Sequence, residues 1–486
     1  MKYQSTRNHA LTASPAAAVL QGIAPDGGLY MPEAIPVLDW QSLMKEDTLT
    51  MSARILSALL PDYEDMPALV RRGYAGKFET EDLTPLVSVG DRYVLELFRG
   101  PTSAFKDVAL SLLPQLISQA RDMEGIEDEM LILTATSGDT GKAALEGFRD
   151  VPGTKIIVFY PHGGVSAVQQ AQMVTQEGGN VKVCAVRGNF DDTQTGVKRI
   201  FASCDEEDLP GVRLSSANSI NIGRLVPQVV YYVYAYAKLL ANEEIAAGEE
   251  INVVVPTGNF GNILAAYFAK KMGLPIRTLI CASNDNKVLY DFFTTGTYDR
   301  RREFILTNSP SMDILISSNL ERLIYLSTGS DPKANAALMK ELAEDGHYTI
   351  TDEMRAFMAD FKGGFATEEE NEAAIRTIFQ DTGYLIDTHT GVAAAVYGQY
   401  KNETGDQTKT VIASTASPFK FSRSVMDAVK GKAATEGKDE FDVADELAAA
   451  AGLVLPKAVE EIRTAPIRHD SERVVDETVK NILGIS

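Results

Sequence analysis

Two α/β units built on parallel β-sheets, with a helical insertion in the second, are the fold that this sequence predicts. Three observations carry the prediction. From residue 131 the chain alternates short apolar runs with glycine-rich turns and amphipathic stretches, from residue 251 the same alternation begins again, and after residue 300 helical patterns dominate. Strand–helix alternation of this kind favours a parallel sheet covered by helices, because parallel strands need a crossover connection.

In order, GPTSAFKDVAL (100–110) opens a helix whose apolar positions are Val108, Leu110, Leu112, Leu113, Leu116 and Ile117. LILTAT (131–136), KIIVFY (155–160) and VKVCAV (181–186) read as buried strands, since they are continuous apolar runs bounded by turn residues. SGDTG leads into the helix KAALEGFRD, PHGG into VSAVQQAQMVTQEGG, and a further helix is expected near FDDTQTGVKRIFASC. LVPQVVYYVYAYAKLLANEE (225–244) is expected to form one long apolar helix. INVVVP (251–256) restarts the pattern with the turn TGNFGN, the helix ILAAYFAKKMG and the strand IRTLICA. Three helical runs follow (ANAALMKELAEDG, DEMRAFMADF and EENEAAIRTIFQDTG), and TKTVIAST (408–415) supplies a last strand. The acid-rich stretches FKGGFATEEENEAA and EGKDEFDVADE read most simply as solvated helix ends and loops.

Composition narrows the function. The chain has 486 residues and a net charge of −21, so attraction to nucleic acid or to an anionic membrane is not expected, and an anionic ligand needs a locally positive site. Three widely spaced cysteines (Cys184, Cys204 and Cys281) suit neither a disulfide framework nor a zinc cluster. The five histidines have no ligand spacing and no local triad partner, and His389 in LIDTHTGVAA reads as a helix-start residue. MKYQSTRNHALTA has no long apolar stretch, so neither a secretory signal nor a membrane span is expected and a cytoplasmic protein is.

Three glycine- or hydroxyl-rich loops and one lysine carry the chemistry. PTGNFGN (256–262) lies between a strand and a helix, where glycines let backbone N–H groups approach a phosphate and the helix N-terminus favours negative charge. It lacks the G-x-G-x-x-G pattern, and SGDTGKA has Thr136 where a nucleotide-binding P-loop needs glycine, so a compact phosphate ligand fits better than NAD or ATP. TATSGDTGKAA (134–144) offers Thr136, Ser137 and Thr140 with helix-start amides, a receptor for a carboxylate or phosphate, although simple helix capping is an equal reading of it alone. SSANSINIGRL (215–225) ends a polar loop in Arg224, suited to a bidentate phosphate. Lys106 stands between Phe105 and Asp107. A lysine with a lowered pKa can form a Schiff base with an aldehyde, and an aldehyde cofactor carrying one phosphate needs a glycine-rich cradle. Pyridoxal 5′-phosphate (PLP) meets both requirements.

Taken with LQGIAPDGGLYMPE (20–33), SPSMDILISSNLERL (309–323), LIDTHTGVA and IASTASPFKF (412–421), these segments resemble the threonine synthases, fold type II PLP enzymes with a tryptophan synthase β-like α/β fold. The long N-terminal segment and the SGDTG form of the loop resemble the longer, yeast-and-enterobacterial type branch. The resemblance implies an N-terminal segment over 1–95, an α/β domain over 96–235 with the PLP lysine and substrate loops, and a larger α/β domain over 236–486 with the phosphate loop. It implies that Lys106 holds PLP, that Gly258, Asn259, Phe260, Gly261 and Asn262 bind its phosphate, and that Thr415 faces the ring nitrogen. Asp139 stands where relatives carry Asn beside the ring hydroxyl. Thr136, Ser137 and Thr140 would receive the substrate carboxylate, and Asn218, Ser219 and Arg224 the substrate phosphate. The implied reaction converts O-phospho-L-homoserine and water to L-threonine and phosphate by γ-elimination and β-hydration. The alternatives are a PLP-dependent phospho-lyase giving 2-oxobutyrate and a catalytically silent PLP-binding homologue. A small-molecule substrate and a monomer or homodimer are expected, without nucleic acid, membrane or metal. Three positions depart from the family pattern: Arg99 and Ser417 stand where His is expected, and Thr388 where Pro is expected. Arg99 is read as a possible source of positive field for an anionic substrate.

Overall fold

The sheets are built as the apolar runs predict, but their membership crosses the chain order. The computed structural model describes residues 1–136, 138–188, 193, 196, 197, 199, 200 and 210–470. Ser137, Cys204 and most of the helix expected near residues 190–204 lie outside the described residues.

Ten strands form the two main sheets: β1 (Leu86–Val89), β2 (Arg92–Glu96), β3 (Glu129–Ala135), β4 (Thr154–Pro161), β5 (Val181–Val186), β6 (Val212–Ser215), β7 (Ile251–Pro256), β8 (Ile276–Ser283), β9 (Phe361–Phe365) and β10 (Thr410–Ser414). The smaller sheet has the order β5-β4-β3-β6, all parallel. The larger has the order β9-β8-β7-β10-β2-β1, parallel except for the β2–β1 edge pair. All six residues of β7 are buried, as a strand covered on both faces requires. The helices used below are α1 (Lys106–Met123), α2 (Asp139–Phe148), α3 (Val229–Ala241), α4 (Gly261–Lys271) and α5 (Thr388–Thr404).

Several elements differ from the sequence expectation, each for a physical reason. The long helix expected over 225–244 is broken into a short helix (Ile222–Leu225), a 3₁₀ turn (Val226–Gln228) and α3. Pro227 has no N–H to donate, so the tighter turn falls where the proline sits. Phe361–Phe365, expected as a helix end or loop, is an edge strand paired with β8. Its glycines are required there, because a Cβ on Gly364 would meet Val396 Cγ1 at 2.4 Å. DEFDVADE enters a helix, Glu440–Ala451, N-capped by Asp439. β1, β2 and β6 are strands that periodicity alone did not reveal. β1 and β2 precede residue 97 yet pair in the larger sheet, so sheet membership does not follow boundaries at residues 95 and 236.

Within the first 85 residues, the helices Pro15–Gln21 and Met66–Tyr74 pack on α1. Tyr74 and Tyr63 donate their hydroxyls to the carbonyls of Val108 (2.9 Å) and Leu116 (3.1 Å). Leu110, Leu112, Leu113, Leu116 and Ile117 are fully buried, each contributing about 1.5–3 kcal/mol of apolar burial. That burial fixes the helix whose first residue is Lys106. Among the described residues, no helix is long and apolar enough to cross a membrane.

Candidate active site

Three neighbouring parallel strands deliver the key loops to one edge of the larger sheet. β7 runs into Gly258–Asn262, β10 into Thr415, and β2 into the loop that ends at Lys106. Ligands of open α/β sheets bind outside the carboxyl ends of their strands, and here three such ends lie side by side. Backbone bonds fix the lysine loop to the β10 end. Phe105 N donates to Thr415 O (2.8 Å), Ser417 N donates to Ser103 O (3.1 Å), and Ala104 bridges Ala416. Ser103, with φ of 59°, holds a left-handed conformation that is unfavourable for a non-glycine residue.

The second sheet contributes Asp139, the first residue of α2, from the end of β3. Gly138 precedes it with φ of 146°, and a Cβ there would meet Gln169 Nε2 at 2.3 Å. Lys106 Nζ lies 3.8 Å from Asp139 Oδ2 and 5.3 Å from the centre of the Phe105 ring. Burial brings the Lys106 ammonium down from 10.5 to about 8, outweighing the attraction of Asp139 and assisted by the like charges of Lys420 and Arg224. Burial alone would raise Asp139. The ammonium groups of Lys420 and Lys106, with hydrogen bonds from Lys420 and Gln169, outweigh it and hold this carboxyl well below the usual range. Asp107 does not reach across the cleft. It accepts from Thr102 N (2.8 Å) and Thr102 Oγ1 (2.5 Å), and burial pushes it up to about 6.

The loop Gly258–Asn262 has the form of a phosphate cradle. Phe260 is left-handed (φ 65°), its ring is buried against the stacked pair Phe293 and Phe361, and α4 begins at Gly261 with no side chain capping its first turn. A Cβ on Gly258 would come within 2.6 Å of Ser311 O. Ser317 Oγ donates to Gly258 O (2.7 Å), and Asn319 donates its backbone and side-chain N–H to Asn259 O (both 3.1 Å). Asn262 Oδ1 accepts from the Tyr232 hydroxyl, while its buried Nδ2 has no partner. An unpartnered buried amide beside uncapped helix-start N–H groups suits a bound phosphate. The residues present therefore fit the phosphate of PLP.

A second electropositive point lies beside this cradle. Arg224 is buried, donates from its Nη1 to Ala217 O (2.5 Å), and has an unpartnered Nε. Burial lowers it from 12.5 to about 10, outweighing the opposing electrostatic pull of Tyr231. Asn319 ties the two loops together by donating to Ser219 O as well as to Asn259 O (both 3.1 Å). Asn218 and Ser219 are half-buried at the loop's mouth.

Other sequence-singled residues fall into supporting positions. The Thr136 hydroxyl accepts from Gly138 N (3.0 Å) and Gly141 N (2.9 Å) and donates to Gly138 O (3.1 Å), which uses all its hydrogen-bonding capacity inside its own loop. Thr140 is half-exposed on the first turn of α2. Arg99 is paired with Glu96 (2.7 Å) and Glu79 (3.0 Å), so its charge is balanced locally and is not spare field for an anionic substrate. Ser417 caps a 3₁₀ turn through Phe419 N (3.3 Å), and the buried Thr388 hydroxyl has no partner. His389 opens α5 as expected: Nδ1 donates to Asp387 Oδ2 (2.7 Å) and Nε2 accepts from Ser311 N (3.2 Å), which places it behind the wall of the phosphate cradle. Sequence reasoning missed Lys420. It is fully buried, 2.6 Å from Asp139 Oδ1 and 3.0 Å from Thr102 O. Asn319 and Ser317 were also missed as braces of the cradle, because their carbonyl partners lie about 60 residues away.

Fold and site together suit one class: α/β enzymes that hold a phosphate-bearing aldehyde through a buried lysine at the carboxyl ends of parallel strands. The comparisons narrow that class. The family described as pyridoxal-phosphate dependent enzyme matches residues 81–416, and the one described as threonine synthase N terminus matches residues 2–89. Threonine synthase from Saccharomyces cerevisiae is 36% identical over 465 residues, which cover 88% of this chain and 89% of that protein. Human threonine synthase-like 1 is 40% identical over 440 residues, covering 86% of this chain, and the chain spans 58% of the length of that relative. The crystal structure of PLP-bound threonine synthase from Brucella melitensis superimposes with a TM-score of 0.87 at 35% identity, covering 99% of this chain and 98% of that one. The chain belongs to the threonine synthase family of PLP-dependent enzymes.

Proposed function

We propose that this chain is a threonine synthase, converting O-phospho-L-homoserine and water to L-threonine and phosphate. The observation that carries the reading is Arg224. Its guanidinium is buried, and the carboxylates of the described residues leave it unpaired although its Nε is free to donate. A buried charge left without a partner is costly, and the cofactor phosphate is accounted for by the separate cradle at Gly258–Asn262. A second anion site in the same cleft therefore supports a substrate that carries its own phosphate.

The residues divide the work as follows. PLP, when bound, supplies the electron sink that carbanion chemistry requires. Lys106 Nζ holds the cofactor and, once released from it, takes the α proton and later returns it; a value of about 8 leaves a useful fraction of neutral amine near neutral pH. Thr415 would offer the ring nitrogen a neutral hydroxyl. Asp139, whose Oδ2 lies 3.8 Å from Lys106 Nζ, would stand beside the ring hydroxyl as a carboxylate. Thr136 shapes the 136–140 loop, whose helix-start amides and Thr140 hydroxyl receive the substrate carboxylate. Arg224, with Asn218 and Ser219, holds the substrate phosphate and stabilises it as it departs.

The test is product analysis. Purified chain is incubated with PLP and O-phospho-L-homoserine, and phosphate, threonine and 2-oxobutyrate are measured. Equal amounts of phosphate and threonine are expected. Phosphate with 2-oxobutyrate would replace the synthase with a lyase, and no turnover with PLP bound would leave a silent homologue.

A further inference from the structure

A second lysine shares the lysine pocket. Lys420 lies in the 3₁₀ turn after β10 and is the more deeply buried of the two, at 0% side-chain exposure against 12% for Lys106. Its Nζ makes one ion pair, to Asp139 Oδ1 at 2.6 Å, and one hydrogen bond, to Thr102 O at 3.0 Å. Lys106 Nζ stands 3.8 Å from the other oxygen of the same carboxylate, beyond hydrogen-bonding distance. Gln169 Nε2 donates to the same oxygen, Asp139 Oδ1, at 3.0 Å. The carboxylate is thus bonded to Lys420 and Gln169 and only faces Lys106.

A buried carboxylate next to a lone lysine would hold that lysine as its ammonium counter-ion, and an ammonium can neither attack an aldehyde nor take up a proton. We propose that Lys420 is a positioning residue, taking the Asp139 carboxylate as its own ion-pair partner and so leaving Lys106 free to react as a neutral amine. The inference rests on the reading of Lys106 as the cofactor lysine. The groups that face Lys106 are Asp139 from α2, Lys420 from the turn after β10, Arg224 from the Ile222–Leu225 helix and Asp107 from its own helix. Of the two cations, Lys420 is the one joined to Asp139, so its loss both removes a like charge and leaves Lys106 as the only ammonium facing that carboxylate. Both effects push Lys106 toward its charged form.

The test reads Lys106 without relying on turnover. Full-length chain stripped of cofactor is acetylated with trace acetic anhydride across about pH 6–10, a span of about two units either side of the expected midpoint, and labelling at Lys106 is quantified by mass spectrometry against an exposed lysine. The parent midpoint is expected near about 8. In Lys420→Met it rises by about one unit or more, and in Lys420→Arg, which keeps the charge, it returns toward the parent value. A folded Lys420→Met chain with the parent midpoint overturns the proposal. Should Lys420→Met not fold, Lys420→Gln decides: it keeps an amide donor for Asp139 and Thr102 but carries no charge, so the midpoint rises above the parent's, whereas a folded Lys420→Gln chain with the parent midpoint overturns the proposal. If the parent chain shows no visible band of lysine-bound pyridoxal with PLP, the reading of Lys106 itself fails, independently of Lys420.

Discussion

Substituting Gly258 by alanine tests the phosphate cradle with a single methyl group. The added Cβ would stand 2.6 Å from the backbone oxygen of Ser311, with Met312 Cα at 3.5 Å. Carbon–oxygen contacts ordinarily begin near about 3.3 Å, so one wall must retreat by roughly 0.7 Å. Neither wall is loose. Ser311 N donates to His389, which Asp387 holds in turn, and Gly258 O accepts from Ser317. Overpacking of a fixed backbone costs about 1–3 kcal/mol. The loop relieves the clash by shifting, and that shift misaligns the amides at the start of α4, so the cost falls on cofactor binding. At about 1.4 kcal/mol per tenfold, PLP is expected to bind about 5- to 140-fold more weakly. Titrating cofactor-stripped chain with PLP by absorbance gives the affinity, and a thermal scan alongside confirms folding. A folded Gly258→Ala chain with the parent affinity would refute the cradle as described.

Other consequences are as direct. Arg224→Leu should lower kcat/KM for O-phospho-L-homoserine by at least about 100-fold, the loss of charge-assisted bonds to the substrate phosphate, while thermal stability holds or rises because a buried unpaired charge is removed; steady-state kinetics and a melting curve measure both, and an unchanged KM and kcat would refute the second anion site. Gly147→Ala places a Cβ 1.9 Å from Leu110 O where α2 crosses α1. The helix-propensity gain of about 1 kcal/mol is smaller than the clash, so urea unfolding should report a net loss of about 1–2 kcal/mol. The rate at which stripped chain captures PLP should climb as pH rises through about 8, because Lys106 is ammonium below that value and amine above it; stopped-flow absorbance over pH 7–9, about one unit either side, gives the midpoint.

Much of this site was legible in the sequence because its parts are local. PTGNFGN follows a continuous apolar run that had to be a buried strand, and it folds as a strand end, a left-handed Phe260 and a helix start. Lys106, Asp139 and Arg224 each sit at or near the start of a helix, where turn chemistry announces itself. What stayed hidden depends on partners far along the chain. Lys420 sits among Pro418, Phe419 and Phe421 and reads as a basic residue in an apolar turn; only the fold brings it to Asp139. RYVLE is too short to reveal itself by period, and it becomes a central-sheet strand by pairing with β10, more than 300 residues later. FKGGF misled because it reads as one with the acid-rich run that follows it, whereas its glycines let α5 and the Val288–Thr295 helix approach an edge strand. Arg99 misled in the opposite direction, since its two carboxylate partners are contributed by a strand end and a distant loop.

The account turns on which lysine carries the cofactor, and two are buried around one carboxylate. The direct measurement is to reduce the PLP-loaded chain with borohydride, digest it, and locate the pyridoxyl group by peptide mass spectrometry. The account predicts the label on Lys106, with Lys420 unmodified. A label on Lys420, or none on either lysine, would contradict it.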